Sequence, residues 1–155
     1  EILSGLVGSE MCIRDSCTPD LIARYQGKIS GPLLDRIDMQ IQVGALPHED
    51  LLRQADGEPS AGIALRVADA AATQLARQGK ANHALSGHEI ELHCRPDNSG
   101  EQLLRTAMNR LNWSARAYHR VLKVARTIAD LSNESTISKL HVAEAIQYRR
   151  ALREQ

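Results

Sequence analysis

Ser114-Ala115-Arg116 puts a guanidinium beside a helix start: a serine able to cap, then a cation in the first turn. The aligned peptide dipoles of a helix disfavour a cation there by roughly a few tenths of a kcal/mol. An arginine at that point makes sense where it shares an anion with the free N–H groups of the first turn. The basic series runs on through His119, Arg120, Lys123 and Arg126, at spacings of three and four. Taken alone, such a series is equally a solvated basic face. A second arginine stands in Leu33-Leu34-Asp35-Arg36-Ile37-Asp38, a tight turn fixed by apolar neighbours. Its always-charged planar fork suits a phosphoryl group presented by a neighbouring subunit. The plain alternative is a surface ion pair with Asp35 or Asp38, worth at most about 1 kcal/mol.

The elements that must hold these side chains are legible from punctuation and period. Thr18-Pro19-Asp20 opens a helix, with a hydroxyl cap, proline at the first position and then an acid. Leu21, Ile22, Tyr25 and Ile29 follow at helical spacing, and Ser30-Gly31-Pro32 ends that run. Met39 to Val43 alternates with period two and is the one convincing strand, whose ladder partners must lie in sequence further upstream. Everything after it reads as helix. Residues 47–55 form a short amphipathic stretch. Ser60 is read as the cap of a helix with the stripe Ala64, Val67, Ala68, Ala71 and Leu75, closed by Gly79. Ser86 and Glu89 have capping-box spacing, and Pro96 limits the helix they open. Another helix carries Leu103, Leu104, Ala107, Met108 and Leu111. Ser114 opens the longest one, with Tyr118, Val121, Leu122, Ala125, Ile128 and Ala129 on one face. Ser138 caps the last, where Ile137 and Val142 have the spacing of a hydrophobic staple. The fold class is therefore mainly α: the end of an α/β core with one strand, then an all-α bundle.

The 155 residues carry no net formal charge, which argues against a general nucleic-acid coat protein but not against a local basic face. Phe is absent, so the core must be built from Leu, Ile, Val and Ala. No apolar run approaches the roughly 18 residues of a membrane span. Cys12, Cys17 and Cys94 make no disulfide framework and fit a reducing, cytoplasmic compartment. No GxxxxGK[ST] phosphate loop occurs, and no apolar strand ends in paired acids for Mg²⁺, so this stretch by itself is not expected to hydrolyse ATP. The histidines show no HExxH spacing, and His93-Cys94 reads as a helix end. Residues 1–16, EILSGLVGSEMCIRDS, lack a period. Their GLVGSEMCIRDS portion resembles translated sequencing-adapter read-through, so they are set aside. With Glu1 in place of Met, the chain is expected to be a piece of a longer product.

Two segments together carry a family resemblance. CTPDLIARYQGKISGPLLDRID, Cys17 to Asp38, resembles the end of the ATPase core in ComM-like members of the magnesium-chelatase-like AAA+ family. LNWSARAYHRVLKVARTIADL, Leu111 to Leu131, resembles the lid helix of the same family, and the likeness extends from Cys17 to Tyr148. It implies an ATPase-core end at residues 17–46 and a helical lid at 47–155. By that likeness Arg36 is an arginine finger acting in trans, Arg116 is the sensor-2 arginine, and Arg120 is the second choice for that role. Cys17 matches the last member of a four-cysteine cluster of the family, a remnant holding no metal here. ATP and Mg²⁺ are implied for the full-length protein and no cofactor for this piece. A homohexamer acting on DNA by branch migration is implied, with no membrane. One rival is a magnesium-chelatase motor subunit serving tetrapyrrole metal insertion. Another is a non-enzymatic helical module that binds DNA or a partner through its basic face.

Overall fold

The computed structural model describes residues 57–150, together with 18, 20, 24, 28, 33, 35–41 and 43–44. Residues 1–16, Cys17 and the amphipathic stretch 47–55 lie outside these. The chain divides into two units, residues 1–37 and 38–155. In the first, Asp20 and Arg24 are helical, as the Thr18-Pro19-Asp20 opening predicts. Asp35 and Arg36 form a turn in which the Arg36 N–H donates to the Leu33 carbonyl at 2.9 Å.

The second unit holds five described helices: α1 (Ser60–Gln78), α2 (Gly87–His93), α3 (Asn98–Leu111), α4 (Ala115–Leu131) and α5 (Lys139–Arg150). A 3-10 turn at Asn82–Ala84 stands between α1 and α2. The mainly α class holds. The expected strand at Met39–Val43 does not form among its described residues, where Met39, Ile41 and Val43 are exposed. An alternation of period two needs a neighbouring strand to become a ladder, and here the Gln40 N–H instead donates to the Tyr148 carbonyl in α5, at 2.7 Å.

Local signals set most helix ends. The Ser86 N–H donates to the Glu89 carboxylate at 2.7 Å, the return half of the capping box. Lys80 donates to the same carboxylate at 2.6 Å, and the two bonds hold Glu89 down at about 2. Asp97 caps α3 by accepting the Gly100 N–H at 2.6 Å. Ser114 caps α4, its hydroxyl accepting the Ala117 N–H at 3.2 Å. The Ser138 N–H finds His141 Nδ1 at 3.1 Å, with Ile137 and Val142 both fully buried around it. Gly79 ends α1 at φ +72°, a left-handed conformation that glycine adopts without strain. Pro59, not Ser60, takes the cap position of α1, so that helix starts one residue earlier than read.

The core is aliphatic, with Leu104, Val121, Ile137 and Val142 among its most enclosed side chains. Each such burial contributes about 1.5–3 kcal/mol. The α4 face read from the sequence supplies Val121, Leu122, Ala125 and Ala129, while Tyr118 and Ile128 pack at its edge. His93 does close α2. Cys94 beyond it is fully buried, which pushes its thiol up to about 11 against the opposing pull of Arg126.

The predicted face of α1 is wrong. Ala64, Val67, Ala68, Ala71 and Leu75 are all exposed, and the buried residues are Ala70 and Gln74. The helix is turned by the polar side chains near its end, which bond into the bundle as set out below.

Where α3 begins, neighbouring side chains crowd a glycine. A Cβ built on Gly100 would stand 3.0 Å from Pro96 Cβ and 3.2 Å from Val142 Cγ2. Gly100→Ala is therefore expected to destabilise by about 1–3 kcal/mol through overpacking, despite alanine's better helix propensity. Urea unfolding of the variant checks this, and an unchanged or raised midpoint would refute it.

Candidate phosphate-binding groove on helix α4

Arg116 is the second residue of α4 and is exposed. Among the described residues its side chain makes no hydrogen bond or ion pair. Because the Ser114 hydroxyl takes the Ala117 N–H, the N–H groups of Ala115 and Arg116 stay outside the cap, at the positive end of the helix dipole. A guanidinium with two such donors is a site for an anion.

Arg116 opens on a groove of about 710 Å³. Arg120, Lys123 and His119 continue its cationic wall along α4, and His83 joins them from the 3-10 turn. Leu85, Ile90, Val124 and Ile128 give it an apolar floor, while Glu144 and Tyr148 reach it from α5. The wall is not uniformly available. Lys123 Nζ donates to the His83 carbonyl at 2.8 Å, and Arg120 forms an ion pair with Asp38. Such a lining can receive a polyphosphate at the cationic end and a flat apolar group on the floor.

Arg126 does not belong to this wall. At about 100° per residue it is turned roughly 80° away from Arg116, whereas Lys123 is turned only about 20°. It is buried instead. Its Nε donates to Asp130 at 3.0 Å, and its two terminal nitrogens donate to the carbonyls of Ser135 at 2.7 Å and Glu134 at 2.5 Å. Arg77 of α1 also reaches Asp130, through two bonds of 2.6 and 3.0 Å, and Asn82 adds a fourth at 2.9 Å. Burial pushes the Asp130 carboxyl up, but the bonds from Arg77 and Asn82 and the two arginine charges outweigh it, leaving it below its ordinary range. Sequence reading missed this network; its only local trace is the opposite charge pair Arg126–Asp130, four residues apart.

Arg120 shares the groove with Arg116. Arg36 is exposed in its turn in the first unit, and its side chain makes no ion pair among the described residues, so the alternative pairing with Asp35 or Asp38 is not seen. Cys17 is outside the described residues.

Residues 57–149, more than half of the chain, match the family model described as magnesium chelatase, subunit ChlI C-terminal. The chain belongs to the magnesium chelatase subunit ChlI family. A second match, magnesium chelatase, subunit ChlI, covers residues 7–51 and so starts within the segment the sequence reading set aside. Competence protein ComM of Haemophilus influenzae is 44% identical over 137 residues, which is 88% of this chain and 27% of that protein. The uncharacterized YifB proteins of Salmonella typhimurium and Escherichia coli are 41% and 38% identical over 135 residues, 86% of this chain and 26% of theirs. The chain thus spans about a quarter of the length of the curated relatives it matches. Within this family the groove lies on the helix that the sequence reading assigned to the lid. No described helix is long and apolar enough to cross a membrane.

Proposed function

We propose that this chain is the C-terminal part of a ring-forming, ATP-dependent motor of the ComM type, and that its α4 groove meets the phosphates of ATP bound in the same subunit. The observation that carries the reading is Arg116: a guanidinium with no partner among the described residues, at a helix start with uncapped N–H groups, opening on a cationic groove. In the intact ring, Arg116 senses the nucleotide in cis and Arg36 reaches the nucleotide of the neighbouring subunit. Catalysis of phosphoryl transfer is mostly positioning and charge neutralisation, and two arginines from two subunits supply both. Among the described residues no group of three or more His, Cys, Asp or Glu could hold a metal, so no magnesium-bound step is assigned to them. Motion of the lid couples nucleotide state to ring geometry, and the likeness to ComM favours DNA branch migration over tetrapyrrole metal insertion as the work done.

Two measurements on the full-length protein test this. Arg116→Ala is expected to weaken ATP binding roughly tenfold, because a lid arginine touches the ground-state nucleotide and charge-assisted bonds to phosphate are strong. Unaltered affinity would remove the groove from the nucleotide site. ATP-driven migration of a synthetic four-way DNA junction separates the two kinds of work. Failure there, with ATP-dependent metal insertion into a porphyrin, would select the chelatase role.

A further inference from the structure

We propose that Asp38 is a built-in competitor for nucleotide phosphate, which holds Arg120 until a bound nucleotide takes it. The inference rests on the reading of the α4 groove as a nucleotide contact and assigns that groove a regulator. Two carboxylates line the groove. Glu144 accepts the Tyr148 hydroxyl at 3.1 Å, whereas Asp38 is spent on Arg120.

The Asp38–Arg120 pair is poorly completed. Arg120 bonds Asp38 through one terminal nitrogen, and its Nε is enclosed with no partner. The side-chain oxygen of Gln40, two residues after Asp38, is likewise enclosed and unpaired. These are the two such side-chain atoms among the described residues, and both stand where residues 38–40 meet α4 and α5. An arrangement with an orphan donor and an orphan acceptor is one of low stability, and a competing acceptor for Arg120 relieves part of it.

The pair is also reachable. Arg120 keeps a quarter of its side-chain surface in solvent and Asp38 more than half. A phosphate carries more charge than a carboxylate and presents three oxygens to the arginine fork, so it wins the exchange when held in the groove by Arg116. Once Arg120 is taken, the stretch 38–40 loses its ion pair and keeps the Gln40–Tyr148 backbone bond. Asp38 follows Arg36 by two residues in the sequence. The exchange therefore leaves residues 38–40 with one fewer tie to the helices when nucleotide arrives.

Binding of a fluorescent ATP analogue with Mg²⁺ to the full-length protein tests this, with melting temperature as the check on folding. Asp38→Asn is expected to tighten binding roughly two- to fivefold, the scale of removing a competing exposed ion pair. Asp38→Glu should retain wild-type affinity. The gain should vanish in Asp38→Asn/Arg120→Ala, which separates release of Arg120 from mere loss of a negative charge near the phosphates. Asp38→Ser takes the place of Asp38→Asn should the latter unfold. If Arg116→Ala weakens binding but Asp38→Asn does not tighten it, or tightens it equally without Arg120, the competitor role is overturned and the groove reading survives. If neither Arg116→Ala nor Arg120→Ala alters binding, both fall.

Discussion

Arg36→Ala in the full-length ring should slow ATP hydrolysis by roughly a thousandfold, the lower end of the effect of an arginine finger, while nucleotide affinity changes by no more than about twofold. On the proposed reading of Arg36 the asymmetry follows from where an arginine finger acts: it meets charge that develops in the transition state and contributes little to the ground state. Mixing subunits gives the sharper test. A subunit with a dead phosphate loop still donates its own Arg36, so doping it into Arg36→Ala rings should restore part of the ATPase. The same dopant should do nothing for Arg116→Ala rings, because the proposed reading gives that arginine to the nucleotide of its own subunit. Equal recovery of both mixtures, or of neither, would end the assignment of one arginine in trans and one in cis. Arg120 would then be the next candidate for the lid role.

Asp130→Ala should destabilise the chain by about 3–5 kcal/mol, the cost of leaving buried charge without its partner. Four donors converge on this carboxylate, from α1, the 3-10 turn and α4. Its removal leaves the charge of Arg126, which is 3% exposed, with two carbonyls and no counter-ion among the described residues. Urea unfolding of the 155-residue chain measures the loss. Asp130→Asn should recover little of it, since an amide can keep the Asn82 contact but offers no charge to two guanidiniums. A loss below about 1 kcal/mol, the value of a surface pair, would mean that the network is solvated and dispensable. Replacing Arg77, Arg126 and Asp130 together by apolar residues of similar volume is the informative companion, because whole buried ion networks are often replaceable at little cost.

What could be read in advance was what depends on near neighbours. Ser86 with Glu89, Ser114 before α4, and Ile137 with Val142 are interactions within five residues, and all appear where their spacing puts them. The buried face of α4 was legible for a related reason: leucines and valines alternate there with arginines and lysine. On α1 no such contrast exists. Alanines lie all round it, so the more apolar stripe looked like the buried one, while Gln74, Arg77 and Gln78 bond to partners in and beyond the next turn and fix the rotation. Asp130 is 53 residues from Arg77 and 48 from Asn82, distances at which a sequence pattern carries no signal. Arg126 was misplaced because steps of three and four drift around a helix when continued over ten residues. Arg36 and Arg116 stood out through family resemblance, since in composition alone they match many solvated arginines.

Arg126 has a mechanical meaning as well. By gripping the carbonyls of Glu134 and Ser135 it clamps the corner after α4 to the helix itself. Two residues on, Ile137 pairs with Pro96 at the head of α3, and its carbonyl accepts the Asp97 N–H at 2.9 Å. The far end of α4 is thus welded to the starts of two other helices, and the place where a helical hairpin most readily bends is locked. On the proposed reading of Arg116, a push at that end of α4 would pass into α3 and α5 through these bonds, so that a nucleotide contact at one end of the helix would be felt at the corner on the other.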